Sequence, residues 1–232
     1  MEVMLYKQAI NQTLIVATVN AGYLDFTLNW LCSLQRVGLH NYLFHAVDYS
    51  MYQQLHERGL PVVYYESELS RLFRKDTNLS AALAYGTVEY QAIMNSRTEF
   101  IYRVLQKGYH VLLCDVDTLF LRNPFPRFDM NLDVQGGAHK GTKITGGFIF
   151  FRSTPRARAL WIKVLSQHRE VFKKIQTLSE FNPHEMTEQE LVNQLLLNNR
   201  DVNWGTIDET VVADGKRFFI DKVSDYLLMI MY

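Results

Sequence analysis

Asp115 and Asp117 are the residues best placed by type and spacing to do chemistry. They stand in Gly108–Pro126, where apolar residues run from Tyr109 to Cys114, Asp115-Val116-Asp117 follows, and a second apolar run leads to Asn123-Pro124. A short β-branched and aromatic run bounded by turn residues predicts a buried strand. The acidic pair therefore falls at the strand's end, pinned between two buried segments. In parallel α/β sheets, ligands gather at the carboxyl ends of strands. Two carboxylates there are costly unless a positive partner meets them. Alternate residues of an extended segment point the same way, so both side chains can serve one divalent cation. Asp is also common in loops after strands, and the short motif alone is weak.

Other polar residues join this edge. Thr18-Val19-Asn20 and Asp48-Tyr49 close the first and second predicted strands. Their polar groups suit a nucleobase and ribose, or ordinary turn chemistry. Arg97 lies on the helix before the central strand and suits a diphosphate, or else a solvated helix face. Ile144-Thr145-Gly146-Gly147 places paired glycines ahead of a strand, which suits close approach of a ligand or a tight bend. Glu188-Gln189 opens a late helix, and Gln189 and Asn193 share a face. Those amides suit sugar hydroxyls or caps. His139, His168 and His184 lack metal-binding spacing and read as surface or loop residues. Cys32 and Cys114 read as small core residues.

The elements that position these groups follow from periodicity. Residues 13–19, 42–47 and 62–65 read as strands, with helices at 24–37 and 51–58 between them. That alternation predicts a parallel sheet with crossover helices. Ser70–Leu79 reads as an exposed loop. A helix spans 80–106, with Ser80 as its N-cap and Gly108 as its stop. Strands at 134–138 and 144–151 follow. Pro155 opens a helix to about Ile175, with Ala159, Ile162, Leu165 and Phe172 inward. Phe181-Asn182-Pro183 is a loop, and Thr187 caps a helix to Leu197. Strands near 205–212 and 217–220 finish the chain. No repeat or linker divides it, so residues 1–232 are expected to form one domain.

Composition narrows the classes. The 232 residues are 48% hydrophobic and 21% charged, ordinary for a globular domain. Lys+Arg and Asp+Glu both number 24, so no basic excess supports general nucleic-acid binding. No apolar stretch is long enough for a transmembrane helix, and no signal peptide is expected at the start. The sequons at Asn11 and Asn78 arise readily by chance.

Taken in order, LIVATVNAGYLDFTLNWLCSLQRVG, AYGTVEYQAIMNSRTEFIYRVLQKGYHVLLCDVDTLFLRNPF, LDVQ, ITGGFIFFRSTPRARALW, EQELVNQLL and ADGKRFF resemble the nucleotide-diphospho-sugar transferase family. Its members include plant pectin xylosyltransferases. The resemblance covers most of residues 13–220 and implies a GT-A-like (Rossmann-like) α/β fold, mostly parallel with helices on both faces. It implies a metal-dependent, retaining glycosyltransferase. Asp115 and Asp117 would hold Mn2+ or Mg2+, ions that suit oxygen ligands. Asp115, Asp117 and Gln189 are then the expected catalytic residues. Donor contacts are expected at Thr18, Asn20, Asp48, Arg97, Val116, Thr145, Gly146, Gly147 and Glu188. The expected partners are a nucleotide-diphosphate sugar, foremost a UDP-sugar, and a glycan or glycoprotein acceptor.

Two departures accompany the resemblance. Glu188-Gln189 replaces the usual Asp-Gln pair. The final residues, DKVSDYLLMIMY, lack the His that such enzymes commonly add as a third metal ligand. A shortened C-terminus or a non-catalytic nucleotide-sugar-binding relative is the alternative. The resemblance implies a Golgi lumen location, while no anchor is read in the sequence, which otherwise suits the cytoplasm. A haloacid-dehalogenase phosphatase also uses Asp-x-Asp after a buried strand, but wants Thr or Val where Leu119 stands.

Overall fold

The computed structural model describes residues 1–73, 79–139, 142–175, 187–208, 211–214 and 228–230. A seven-stranded sheet runs through the molecule in the order β3-β2-β1-β4-β7-β6-β8. Its strands are β1 (Thr13–Val19), β2 (Tyr42–Ala46), β3 (Val62–Tyr64), β4 (His110–Cys114), β6 (Val134–His139), β7 (Lys143–Phe151) and β8 (Trp204–Ile207). β3, β2, β1 and β4 are mutually parallel. β7 pairs antiparallel with both β4 and β6, and β6 is parallel to β8. One reversed strand therefore makes the sheet mixed but mostly parallel. A smaller sheet, β5-β10-β9, joins β5 (Thr118–Phe120), β9 (Val212–Asp214) and β10 (Leu228–Ile230).

Strand periodicity divides the core. Ile15, Ala17 and Val19 of β1 and Leu112 and Cys114 of β4 face one side, with Trp30 and Leu34 of α2 (Leu24–Arg36) and Met51 and Leu55 of α3 (Tyr49–Glu57). Leu14 and Val16, with Val111 and Leu113, face the other. There they meet α1 (Glu2–Gln8), α5 (Val88–Gln106), α6 (Pro155–Ile175) and α7 (Glu188–Asn198) through Leu5, Phe100, Trp161 and Val192. Alternate residues of a strand project to opposite faces, so a strand covered on both sides must be apolar throughout. That is why β1 and β4 read as unbroken apolar runs.

Several expectations change. The helix expected from Ser80 begins at Val88, where the Thr87 hydroxyl accepts from Tyr90 N at 3.2 Å. Ser80 instead donates to Asp48 Oδ1 at 2.9 Å. Ser70 belongs to α4 (Glu68–Phe73) and is buried, not in an exposed loop, because its hydroxyl bonds Ala92 O and Ser96 Oγ. Cys32 is exposed on α2, whose inward stripe is Thr27, Trp30, Leu31 and Leu34. On α6, Ala159 and Ile162 face outward, and the buried stripe is Ala157, Leu160, Trp161, Val164, Leu165 and His168. His168 is thus a core residue. The 205–212 strand is two pieces, β8 and β9, separated around Asp208. Phe181–Pro183, His184 and the 217–220 strand lie outside the described residues.

Candidate active site

Asp115 follows the last residue of β4, and its amide donates to Gly147 O at 3.0 Å. The neighbouring strand β7 therefore brings Gly146 and Gly147 beside the acidic pair. A Cβ at Gly147 would lie 3.0 Å from Asp115 Oδ2. A Cβ at Gly146 would lie 3.0 Å from Gln189 Cβ and 3.1 Å from its Oε1. Both positions are tight, so here the paired glycines serve close approach of side chains from β4 and α7. Thr145, buried, precedes them.

α5 supplies the cation that joins these pieces. Arg97 is 5% exposed, not a solvated helix-face residue. Its Nη1 donates to Asp115 Oδ1 at 2.7 Å, and its Nε donates to Glu188 Oε2 at 2.9 Å. Burial opposes the Arg97 charge, yet Glu188 and Asp115 hold its pKa well above the ordinary value. Glu188 is itself buried, and loss of solvent pushes its carboxyl up against the pull of Arg97. Its Oε1 has no hydrogen-bond partner among the described residues. The Thr98 hydroxyl lies 3.2 Å from Glu188 Oε2 and 2.8 Å from Nδ1 of the buried His168.

Asp117 differs from Asp115. Asp115 is partly exposed and ion-paired. Asp117 Oδ1 is buried with no partner among the described residues. Burial, then the adjacent Asp115 charge, pushes the Asp117 carboxyl up to about 7. Loss of water and a like charge both disfavour a second anion there. A buried acceptor with no donor beside a second carboxylate fits a hard dication. No cluster of three or more His, Cys, Asp or Glu suited to a metal occurs among the described residues. A dication here would complete its shell with ligand and water oxygens.

The late helix is held by its amides. Gln189 Oε1 accepts from Gly146 N at 2.5 Å. Asn193 bonds Ile144 through both amide groups, accepting at 2.8 Å and donating at 2.9 Å. Asn193 therefore pins α7 to β7 rather than facing a ligand. The Thr187 hydroxyl accepts from Glu190 N at 3.2 Å, as the cap reading expects.

The nucleoside candidates lie along the same edge, at the ends of β1 and β2. Thr18 Oγ1 is 3.0 Å from His45 Nδ1. Asn20 Nδ2 donates to Leu79 O at 2.6 Å and Ala81 O at 2.8 Å. Asp48 caps α3, accepting from Met51 N at 3.0 Å, and also accepts from Ala21 N at 2.9 Å. The chain itself therefore engages Asn20 and Asp48. Val116 is half-buried against the core on the α2 side.

Neither Tyr90 nor Thr98 is named from the sequence as a site residue, and His168 is expected there at the surface or in a loop. Tyr90 lies seven residues before Arg97, hence on the same helical face. Burial pushes its phenol above the ordinary range, against the pull of Arg97. The helical spacing from Arg97 was the available signal.

A mostly parallel sheet with one reversed strand, and acidic and glycine motifs at its carboxyl edge, defines an α/β domain of the GT-A glycosyltransferase type. The sequence profile of the nucleotide-diphospho-sugar transferase family matches residues 37–226, and the chain belongs to that family. It is 27% identical over 166 residues to Beta-arabinofuranosyltransferase RAY1 of Arabidopsis thaliana, covering 67% of this chain and 30% of the relative. It is 28% identical over 174 residues to the UDP-galactose:fucoside alpha-3-galactosyltransferase of Dictyostelium discoideum, covering 61% and 26%. The chain thus spans less than a third of either relative's length. The solved galactosyltransferase LgtC, in complex with donor and acceptor sugar analogs, aligns with a TM-score of 0.54 at 12% identity. That alignment covers 94% of this chain and 86% of LgtC and bears on the fold. No helix among the described residues is long and apolar enough to cross a membrane.

Proposed function

We propose that this chain transfers a sugar from a nucleotide-diphosphate donor, foremost a UDP-sugar, to a hydroxyl of a glycan or glycoprotein. The observation that carries this reading is Asp117 Oδ1, buried and unpartnered beside Asp115 at the sheet's carboxyl edge. Asp115 and Asp117 would hold Mn2+ or Mg2+. When bound, the cation stabilises negative charge on the departing diphosphate as a Lewis acid.

The chain's own residues do the positioning. Arg97 fixes Asp115 through Oδ1 and Glu188 through Oε2. Gly147 removes a side chain that would crowd Asp115 Oδ2. Gly146 fixes the Gln189 carbonyl, which leaves the Gln189 amide group to donate to a sugar oxygen. Thr145, Gly146, Gly147 and Glu188 border the donor sugar in this reading, and Val116 backs the diphosphate. Thr18, Asn20 and Asp48 border the nucleoside. Breaking the anomeric C–O bond sends its electron pair to the diphosphate oxygen. The acceptor oxygen forms the new bond to the anomeric carbon, and its proton passes to the departing diphosphate.

The names of the relatives, which include an arabinosyl- and a galactosyltransferase, favour a pentose or hexose donor. Retention of configuration and a Golgi lumen setting are parts of the proposal supported by the family resemblance. The test is UDP release from a panel of UDP-sugars with Mn2+, comparing the natural protein with Asp117→Asn. The reading expects metal-dependent release from at least one donor, reduced by a factor on the order of a thousand in the variant. Equal release by both proteins contradicts it. Binding without release from any donor favours the non-catalytic relative.

A further inference from the structure

The carboxyl edge of β1 and β2 is covered by the chain's own segment Leu79–Leu83, and the covering is built into the sequence. The Asn20 amide nitrogen donates twice to this segment, to Leu79 O and to Ala81 O. The Tyr23 hydroxyl donates to Leu83 O at 3.0 Å. The Ser80 hydroxyl donates to Asp48 Oδ1 at 2.9 Å. A Cβ at Gly22 would lie 2.2 Å from Ala82 N and 2.4 Å from Ala81 C. Glycine at 22 is what lets one backbone rest directly on the other.

That closeness decides the occupancy. A planar base needs carbon contacts of about 3.5 Å on each face. The turn at Gly22 and the segment at Ala81–Ala82 leave no such gap. The segment is held mostly by hydrogen bonds, and its apolar anchoring is small. Among the described residues, Leu79 clusters with Val47, Ile93 and Met94, with Leu83 and Tyr90 at the margin, apart from the two large cores. Small clusters of this kind open at lower free energy than the body of the fold. Asn20 Oδ1, buried beneath the segment, keeps no partner among the described residues.

We infer that Leu79–Leu83 is an autoinhibitory strap that occupies the nucleoside end of the site, so that nucleotide binding requires its release from Asn20, Tyr23 and Asp48. This inference rests on the sugar-nucleotide reading above. A site that is competent only when the strap is off binds more weakly by the fraction of molecules in that state. Loosening the strap therefore tightens nucleotide binding. Ser80→Ala removes one tie without touching the acidic pair, the glycines or α7.

Two measurements with UDP and Mn2+ test this. Amide exchange at 79–83 should speed up at least threefold on saturation with UDP, while exchange in β1 and β4 does not. The UDP dissociation constant of Ser80→Ala should fall about two- to tenfold, the net worth of one hydrogen bond. Exchange at 79–83 that slows or stays unchanged overturns the strap, as does an affinity unchanged or weakened in Ser80→Ala. If UDP binds and the strap stays in place, only the strap falls. If neither protein binds UDP, the sugar-nucleotide reading falls with it.

Discussion

The two ends of the sheet's carboxyl edge differ in how their carboxylates are satisfied. At β1 and β2, the Asn20 amide nitrogen and both Asp48 oxygens are engaged by the chain itself. At β4 and α7, Asp117 Oδ1 and Glu188 Oε1 are buried without a partner among the described residues. Buried polar atoms are normally satisfied, so exceptions ask for a physical cause. The metal end has the character of a site built to receive something from outside. The nucleoside end has the character of one closed from within. Arg97 accounts for the survival of the first. It supplies one buried cation to two carboxylates, and the third carboxylate, Asp117, is left to protonate or to meet a metal.

Breaking the metal end should have the largest effect on stability. Arg97→Met leaves Glu188 buried without its counterion and should lower the unfolding free energy by about 3–5 kcal/mol in urea titration. A loss under 1 kcal/mol would mean that Arg97 is not holding this end together. Acid should strain both ends together. Burial first of all lowers His45, below Thr18, and His168, below Thr98, to about 3. The unfolded chain takes up these protons below about pH 6.5, while the folded chain resists until about pH 3. Stability from this pair is therefore full above pH 6.5 and is lost as pH falls through that window. Urea midpoints between pH 7 and 4 measure it, and His168→Gln should flatten part of the slope.

The nucleoside end should respond more mildly. Gly22→Ala forces Ala81–Ala82 to move and should cost about 1–3 kcal/mol. Asp48→Ala removes the cap of α3 and should cost about 0.5–2 kcal/mol. Neither should alter stabilisation by Mn2+, read as the shift in melting temperature. If Asp48→Ala abolished that shift, the two ends would not be separate.

Much of the local structure at the metal end is legible in the sequence, whereas the covering of the nucleoside end is not. The apolar run before Asp115 is readable because β4 is covered on both faces, and the paired glycines are readable because Gly146 and Gly147 each abut a side chain. The Thr187 cap was legible from its residue type. Long-range pairing was not. The run from 80 to 106 hides a change from strap to helix because Ser80 and Thr87 are both good caps, and only the tertiary bond from Ser80 to Asp48 separates them. The Arg97–Glu188 pair joins residues 91 positions apart, beyond any local pattern. His168 was misjudged despite a local signal, since it continues the stripe of Trp161, Val164 and Leu165. Cys32 was misjudged because α2 turns a different face inward.

The central claim is that Asp115 and Asp117 together gather a dication for a nucleotide's phosphates. Electron paramagnetic resonance of Mn2+ titrated with protein in the presence of UDP tests it most directly, because free and bound Mn2+ give different signals. The account predicts one bound Mn2+ per chain in the presence of UDP, lost in Asp117→Asn. An Mn2+ signal indifferent to the protein, or binding by Asp117→Asn equal to the natural chain, would contradict it.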